Sequence, residues 1–193
     1  MSLLARDVVG LLDALELEKV SFCCLSMGGM VGQWLGMNAP DRIDRLVLSN
    51  TAAYFPNKGM WRERIEMAEQ DGIAAIAEAS IRRWFTPGFL ERASSSETVD
   101  RVRKFILETT VEGYLACCVA IRDMDFREGL AKIETPTLVI IGEKDPATLP
   151  EYGEVIARGI SGAKSSVISY AAHLSNIEQA DSFTRTLVDF IAA

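Results

Sequence analysis

The sequence predicts an α/β fold in which a parallel sheet with flanking helices is interrupted by a helical insertion. An apolar run starting at Val20 ends at Ser26 and continues through small residues into a helical pattern, which indicates a strand, a sharp turn and a helix. Short runs rich in β-branched residues recur at 43–48, 137–141 and 165–169. Residues 56–130 show only helical patterns. We therefore expect one domain over 1–193, with its core in 1–55 and 131–193 and a helical cap in 56–130.

Length and composition favour a single soluble domain. A chain of 193 residues with 49% hydrophobic content can form one substantial core. Its net charge of −7 argues against a nucleic-acid partner, because phosphate binding needs a basic surface. No apolar run is long enough to span a bilayer, and the segment after Met1 lacks the features of a signal peptide. We expect a cytoplasmic protein that does not bind membranes.

The cysteines form two adjacent pairs, Cys23-Cys24 and Cys117-Cys118. This spacing matches neither a zinc site nor the disulfide framework of a secreted protein. We expect reduced and mostly buried thiols, no metal ion and no other cofactor.

Amphipathic helices are predicted at both ends of the chain. The apolar face of the opening helix is expected to contain Leu4, Val8, Leu11 and Leu15. The apolar face of the closing helix, Ile177 to Ala192, is expected to contain Phe183, Leu187, Val188 and Ile191. Both helices should pack on the sheet.

Ser26 lies on the predicted turn between strand and helix, within Cys24-Leu25-Ser26-Met27-Gly28. A serine on such a turn projects its hydroxyl above the sheet, towards the positive end of the helix that follows. An acyl-transfer nucleophile needs this placement. Small residues are required beside the serine, and the glycine that usually precedes it by two positions is here Cys24.

An acid and a base follow Ser26 in the order of a hydrolytic triad. His173, the single histidine of the chain, comes directly after the last predicted strand. Asp145 follows the strand before it, and Glu143 is a competing carboxylate in the same loop. We favour Asp145 because it lies further beyond the end of the strand. Each of the three residues lies in a loop after an apparent strand, and the order serine, aspartate, histidine predicts a catalytic triad.

Several segments beyond the triad carry a family resemblance: Phe22–Gly36, Arg83–Pro87, Glu112–Asp123 and Gly142–Thr148. Together they resemble the 3-oxoadipate enol-lactonases, a branch of the α/β-hydrolase superfamily. The resemblance implies an α/β-hydrolase fold lacking its N-terminal strands. It also implies opening of an anionic enol-lactone to 3-oxoadipate in aromatic catabolism, with Trp84, Arg83 and Arg122 as candidate substrate contacts in the cap.

The resemblance leaves three functions to be distinguished. In a lactonase, Ser26 would form an acyl-enzyme while the amide of Met27 supplies one oxyanion donor. The second donor of the family comes from a loop that has no counterpart in this sequence. A general carboxylesterase with the same triad is the first alternative. A catalytically impaired fragment that acts only as a binding module is the second.

The strand before Ser26 has a consequence for assembly. Without the family's first strands it would be an edge of the sheet, and Val20 to Leu25 contains neither a proline nor a charge. Unprotected edge strands pair with other chains. We expect a homo-oligomer joined through this edge.

Overall fold

The computed structural model describes all residues from Met1 to Ala193. The strands are β1 (Val20–Leu25), β2 (Ile43–Ser49), β3 (Thr137–Gly142) and β4 (Lys164–Ile168). The helices are α1 (Ser2–Ala14), α2 (Met27–Asn38), α3 (Lys58–Trp84), α4 (Pro87–Leu90), α5 (Ser96–Leu107), α6 (Val111–Asp123), α7 (Pro150–Gly159), α8 (Ser175–Glu178) and α9 (Ala180–Ile191). The chain forms two compact units, a sheet unit (Met1–Tyr54 with Asp125–Ala193) and a helical unit (Phe55–Met124).

The sheet unit is built on four parallel strands in the order β1-β2-β3-β4. In the register, Cys24 lies beside Leu48, and Leu46 lies beside Thr137. Parallel neighbours need long connections that cross over a face of the sheet, and helices supply them. The predicted parallel sheet with flanking helices is confirmed, and each strand ends at the same edge as the others.

The core lies on both faces of the sheet. Alternate residues of a strand point to opposite faces, so Leu46 and Leu48 pack on one side and Val47 on the other. The first side is covered by α1, α2 and α7, and the second by α9 through Phe183 and Phe190. Burial on both faces explains the continuous apolar runs Leu46–Leu48 of β2 and Leu138–Ile141 of β3.

The apolar faces of the two terminal helices agree with the prediction in part. Leu4, Val8, Phe183 and Leu187 pack in or against the core, whereas the other predicted residues are exposed. In α1 the buried residues are Ala5 and Leu12, whereas Leu11 and Leu15 are exposed. The predicted closing helix is two helices, α8 and α9, separated at Gln179. In α9, Val188 is exposed while Phe183 and Phe190 are buried. In each helix, adjacent apolar residues give two neighbouring faces that both fit the helical period. Packing against the sheet decides which of the two faces is buried.

The helical unit contains α3 to α6. Helix α3 is broken at Gly72, whose backbone φ of 75° lies in the left-handed region that glycine adopts without strain. Side chains of Asn57, Thr86 and Thr110 accept hydrogen bonds from first-turn amides and cap α3, α4 and α6. Residues 125–130, which the sequence places with the cap, lie in the sheet unit, where Leu130 is buried in the core.

No helix is long and apolar enough to cross a membrane. All the cysteines are free. Cys24 and Cys118 are buried, as expected, but Cys23 is exposed because it lies on the outer strand of the sheet, with its side chain on the face opposite to that of Cys24.

Candidate active site

Ser26 lies between β1 and α2 in a strained conformation, with φ of 56° and ψ of −120°. Few residues other than glycine adopt positive φ, and such strain persists only where the surroundings hold it. The Ser26 amide donates to the Ser49 carbonyl at 3.0 Å, and its own carbonyl accepts from the Thr51 hydroxyl at 2.6 Å. The two strands therefore fix the backbone of the turn, and the side chain of Ser26 is left for other contacts.

Cys24 can occupy the position of the usual glycine because a glycine in α2 leaves room for its side chain. Its side chain is buried, and its thiol donates to the Val47 carbonyl at 3.1 Å. A Cβ at Gly32 would lie 2.7 Å from the Cys24 sulfur, so a glycine in α2 provides the space that the sulfur fills. Burial raises the pKa of the Cys24 thiol, which keeps it neutral and unreactive.

Asp145 lies in the loop after β3, and both of its oxygens are saturated with donors. Oδ1 accepts from the amides of Ala147 and Thr148 at 2.8 and 2.9 Å. Oδ2 accepts from the Thr148 hydroxyl at 2.6 Å, from Asn50 Nδ2 at 2.9 Å and from His173. The competing carboxylate, Glu143, instead accepts from the amide of Tyr170 at 2.8 Å. The structure thus brings Asp145, and not Glu143, to the histidine.

His173 lies in the loop after β4, buried between the two other predicted triad residues. Its Nδ1 is 2.9 Å from Asp145 Oδ2, and its Nε2 is 2.8 Å from Ser26 Oγ. A carboxylate can only accept, so the ring proton belongs on Nδ1. Nε2 is then the acceptor, and the Ser26 hydroxyl donates to it. This tautomer is the one that general-base catalysis requires.

The environment of Asp145 favours its ionised form. Burial alone would raise the pKa of its carboxyl group. Hydrogen bonds from His173, Thr148 and Asn50, together with attraction to a charged His173 ring, outweigh burial and hold that pKa below its usual value. Asp145 is therefore ionised in any step in which His173 carries a positive charge.

Sequence reasoning missed several polar residues that hold the triad: Asn50, Thr148, Ser175 and Glu178. Thr148 donates to Asp145, and Glu178 accepts a hydrogen bond from the amide of Ala172, next to His173. Thr148 could have been identified from the run Asp145 to Thr148, because an aspartate commonly accepts hydrogen bonds from amides that follow it by two or three residues. Nothing comparable identifies Asn50, whose partners come from distant segments.

The predicted substrate contacts all belong to the helical unit. Arg83 and Trp84 end α3, and Arg122 lies near the end of α6. Arg122 forms a forked pair with Asp123, two contacts of 2.8 Å each. Arg83 is half-buried, its Nε is buried without a hydrogen-bond partner, and its one hydrogen bond is to the Ser80 hydroxyl at 3.3 Å. Of the two arginines, Arg83 is the one without a carboxylate partner.

Met27 is the first residue of α2, directly after Ser26. The first amides of a helix have no acceptor within it and point out of its positive end.

No group of three or more histidine, cysteine, aspartate or glutamate side chains is arranged to hold a metal ion. The chemistry available at this edge of the sheet is that of a serine, an imidazole, a carboxylate and helix amides.

Comparisons with known proteins agree with this geometry. A family model for the α/β-hydrolase fold matches residues 1–180. The 3-oxoadipate enol-lactonase 2 of Acinetobacter baylyi is 36% identical over 184 residues, which cover 95% of this chain and 68% of that protein. The solved enol-lactonase of Burkholderia xenovorans has a TM-score of 0.95 and 39% identity, covering 100% of this chain and 73% of that one. A solved hydrolase from Pseudomonas aeruginosa has a TM-score of 0.92 and 42% identity, covering 98% and 71%.

Proposed function

The chain belongs to the α/β-hydrolase family and is a hydrolase, and from that premise we propose that it opens 3-oxoadipate enol-lactone through Ser26, His173 and Asp145. The observation that carries the proposal is the unbroken line of hydrogen bonds from Ser26 Oγ through both ring nitrogens of His173 to Asp145 Oδ2. The names of the relatives at 36% and 39% identity support the substrate.

In the first proposed step, Ser26 Oγ attacks the lactone carbonyl carbon while His173 Nε2 takes the hydroxyl proton. Asp145 stabilises the imidazolium that forms and holds its orientation. The tetrahedral intermediate collapses when the ring C–O bond breaks, and His173 returns the proton to the departing enolate. The enol then becomes a ketone. An enolate leaves more readily than an alkoxide, so this step is well suited to a triad.

In the second step, water hydrolyses the acyl-enzyme. His173 takes a proton from the water, whose oxygen attacks the acyl carbon, and it then returns that proton to Ser26 Oγ as the ester bond breaks. The product is a carboxylate. The Met27 amide, at the positive end of α2, is our proposed donor to the oxyanion of both tetrahedral intermediates.

We also propose that Arg83, with Arg64, binds the carboxylate that such a lactone carries. Arg64 lies over the ring of Trp61 at 4.6 Å and has no carboxylate partner. Burial and the nearby positive charge of Arg64 lower the pKa of Arg83, so the two cations repel each other in the free protein. A ligand anion would relieve this repulsion and could pair with the fork of Arg83.

The test is a comparison of hydrolysis rates for the acidic enol-lactone and for neutral aryl esters, with Ser26→Ala as the blank. A lactonase should show a much higher kcat/KM for the enol-lactone. Similar values for all substrates would favour the general carboxylesterase. Hydrolysis that Ser26→Ala retains in full would contradict a triad mechanism. Rates no greater than the uncatalysed rate with every substrate would favour the binding module.

A further inference from the structure

Asn50, the residue after β2, contacts two of the loops that form the site. Its Nδ2 donates to Asp145 Oδ2 at 2.9 Å and to the carbonyl of Ala172 at 3.1 Å. Its Oδ1 accepts from the Ser175 hydroxyl at 2.5 Å. Asn50 is 3% exposed, so these bonds form away from water. One amide group therefore links the loop of Asp145 to the loop of His173.

The orientation of this amide is determined by its neighbours. Nδ2 faces a carboxylate oxygen and a carbonyl oxygen, which can only accept. If the amide were turned over, Oδ1 would face both of them and repel both. In this orientation the Ser175 hydroxyl donates to Oδ1. Both polar atoms of the Asn50 side chain are thus hydrogen-bonded, in one orientation of the amide.

The backbone of Asn50 is held as firmly as its side chain. Its φ of 44° lies in the left-handed region, which asparagine tolerates better than most residues other than glycine. Its amide donates to the Ile140 carbonyl of β3 at 2.9 Å. The strand pairing therefore places Asn50 in a fixed position, from which the side chain reaches the two loops.

Gly142 provides the space in which this contact forms. A Cβ at Gly142 would lie 2.6 Å from Asn50 Nδ2 and would also collide with the carbonyl of Ala172. The absence of a side chain at the end of β3 lets the amide, the carbonyl and the strand approach one another.

We propose that Asn50 is a positioning residue that holds Asp145 Oδ2 and the Ala172 carbonyl in the places from which they align His173 with Ser26. This inference rests on the proposed function, because alignment matters only if the triad reacts. The side-chain hydrogen bonds of Asn50 go to Asp145, to the Ala172 carbonyl and to Ser175, so it acts through Asp145 and through the residue that precedes His173. Ser175 supports it by fixing the amide.

Two variants of Asn50 separate positioning from folding. Asn50→Gly keeps the left-handed backbone but removes the amide, and Asn50→Asp keeps the shape but faces Asp145 with an acceptor in place of a donor. Ser175→Ala is a milder third variant that removes only the bond to Oδ1. The matched control is Thr137→Val, which removes a buried hydroxyl bonded to the Thr135 carbonyl at the opposite end of β3.

The readouts are kinetic and spectroscopic. We expect Asn50→Gly and Asn50→Asp to lower kcat by about 10²-fold, as a misplaced catalytic group does, with little change in KM. Because His173 is the single histidine, the downfield proton resonance of its Nδ1–H can be assigned in untagged protein without ambiguity. That resonance should shift upfield or disappear in both variants, change less in Ser175→Ala and stay unchanged in Thr137→Val.

The two readouts distinguish failure of this inference from failure of the proposed function. An unchanged Nδ1–H resonance and unchanged kcat in both Asn50 variants would overturn the positioning role. An equal loss in Thr137→Val would overturn it too, since the effect would then be one of general stability. If the parent protein hydrolyses no ester or lactone, the proposed function fails, but the resonance still reports whether Asn50 holds the pair of Asp145 and His173.

Discussion

The Ser26 amide donates to the Ser49 carbonyl at 3.0 Å, which extends the pairing of β1 with β2 to the first residue of the turn. The strained backbone of Ser26 is therefore held by this main-chain bond and by the Thr51 hydroxyl, which donates to its carbonyl. Its hydroxyl contributes to the site and not to the turn. The function of the side chain can be removed without disturbing the fold.

Ser26→Ala should abolish hydrolysis and labelling by a serine-directed phosphonate, while changing the free energy of unfolding by less than about 0.5 kcal/mol. The alanine cannot attack, but it can adopt the same backbone. Labelling followed by mass spectrometry and a urea titration measure the two effects. Ser21→Ala, at an exposed position on β1, is the control and should keep full labelling. Labelling of the Ser26→Ala protein at other serines would refute Ser26 as the nucleophile.

Asp145→Asn should lower kcat by about 10³- to 10⁴-fold, because a neutral amide neither stabilises the imidazolium nor selects the reactive tautomer. Substrate binding should change little. Steady-state kinetics at pH 7 to 8 measure the effect. A loss of less than tenfold would point to another carboxylate, and Glu143→Gln is the matched variant that should leave kcat near that of the parent protein.

The lowered pKa of Asp145 also predicts a pH dependence of stability. In the unfolded chain the carboxyl protonates near its ordinary pKa of about 3.9, whereas in the folded protein it protonates at lower pH. The ionised group therefore stabilises the fold above that value, and the contribution is lost as the pH falls below it towards the folded pKa. The difference in unfolding free energy between the protein and Asp145→Asn should therefore decrease as the pH falls below about 4.

Gly142→Ala should destabilise the fold by about 1 to 3 kcal/mol and reduce kcat as well, because the new methyl group would displace Asn50 and the Ala172 carbonyl. Chemical denaturation and kinetics measure both effects. The control is Gly10→Ala in α1, where a Cβ meets no atom within 4 Å. That substitution should raise stability by about 0.5 to 1 kcal/mol through helix propensity. If Gly142→Ala kept full stability and full activity, the positions of Asn50 and of the Ala172 carbonyl would not depend on the space that Gly142 leaves.

Arg83→Gln and Arg64→Gln should raise KM for the acidic lactone and leave KM for a neutral ester nearly unchanged. The expected rise is about 10-fold for each, the scale of one charge-assisted hydrogen bond. Arg103→Gln is the control within the same unit, because Arg103 is already paired with Glu78 and Asp100. An equal rise for both substrates would indicate that the arginines stabilise the helical unit and do not select the anion.

The meeting of the three predicted triad residues could be predicted because each follows a strand, and parallel strands bring their carboxyl ends to one edge. Ser26, Asp145 and His173 needed only chain order and strand positions. Asn50 was not predictable, because its role depends on a left-handed φ and on partners 95 and 122 residues away. The face of α1 was misjudged for a related reason: Leu11 and Leu12 are adjacent, and only packing decides that Leu12 is buried.

The last prediction concerns the two outer strands of the sheet, which differ in their protection. β4 begins with Lys164 and continues with two serines, features that discourage pairing with another chain. β1 has the sequence Val-Ser-Phe-Cys-Cys-Leu and pairs only with β2, so its outer edge exposes unpaired backbone groups beside apolar side chains. We propose that a second copy pairs with this edge about a two-fold axis, which lets each copy cover the other.

Light scattering over a range of concentrations tests this proposal, with a reductant present so that a disulfide through the exposed Cys23 cannot imitate it. The protein should have the mass of a dimer. Cys23→Lys, which places a charge on the β1 edge, should convert it to a monomer. Val167→Lys is the matched control, because Val167 is also exposed but lies on β4, and it should leave the dimer intact. A monomer at all concentrations, or dissociation caused by Val167→Lys alone, would exclude assembly through β1.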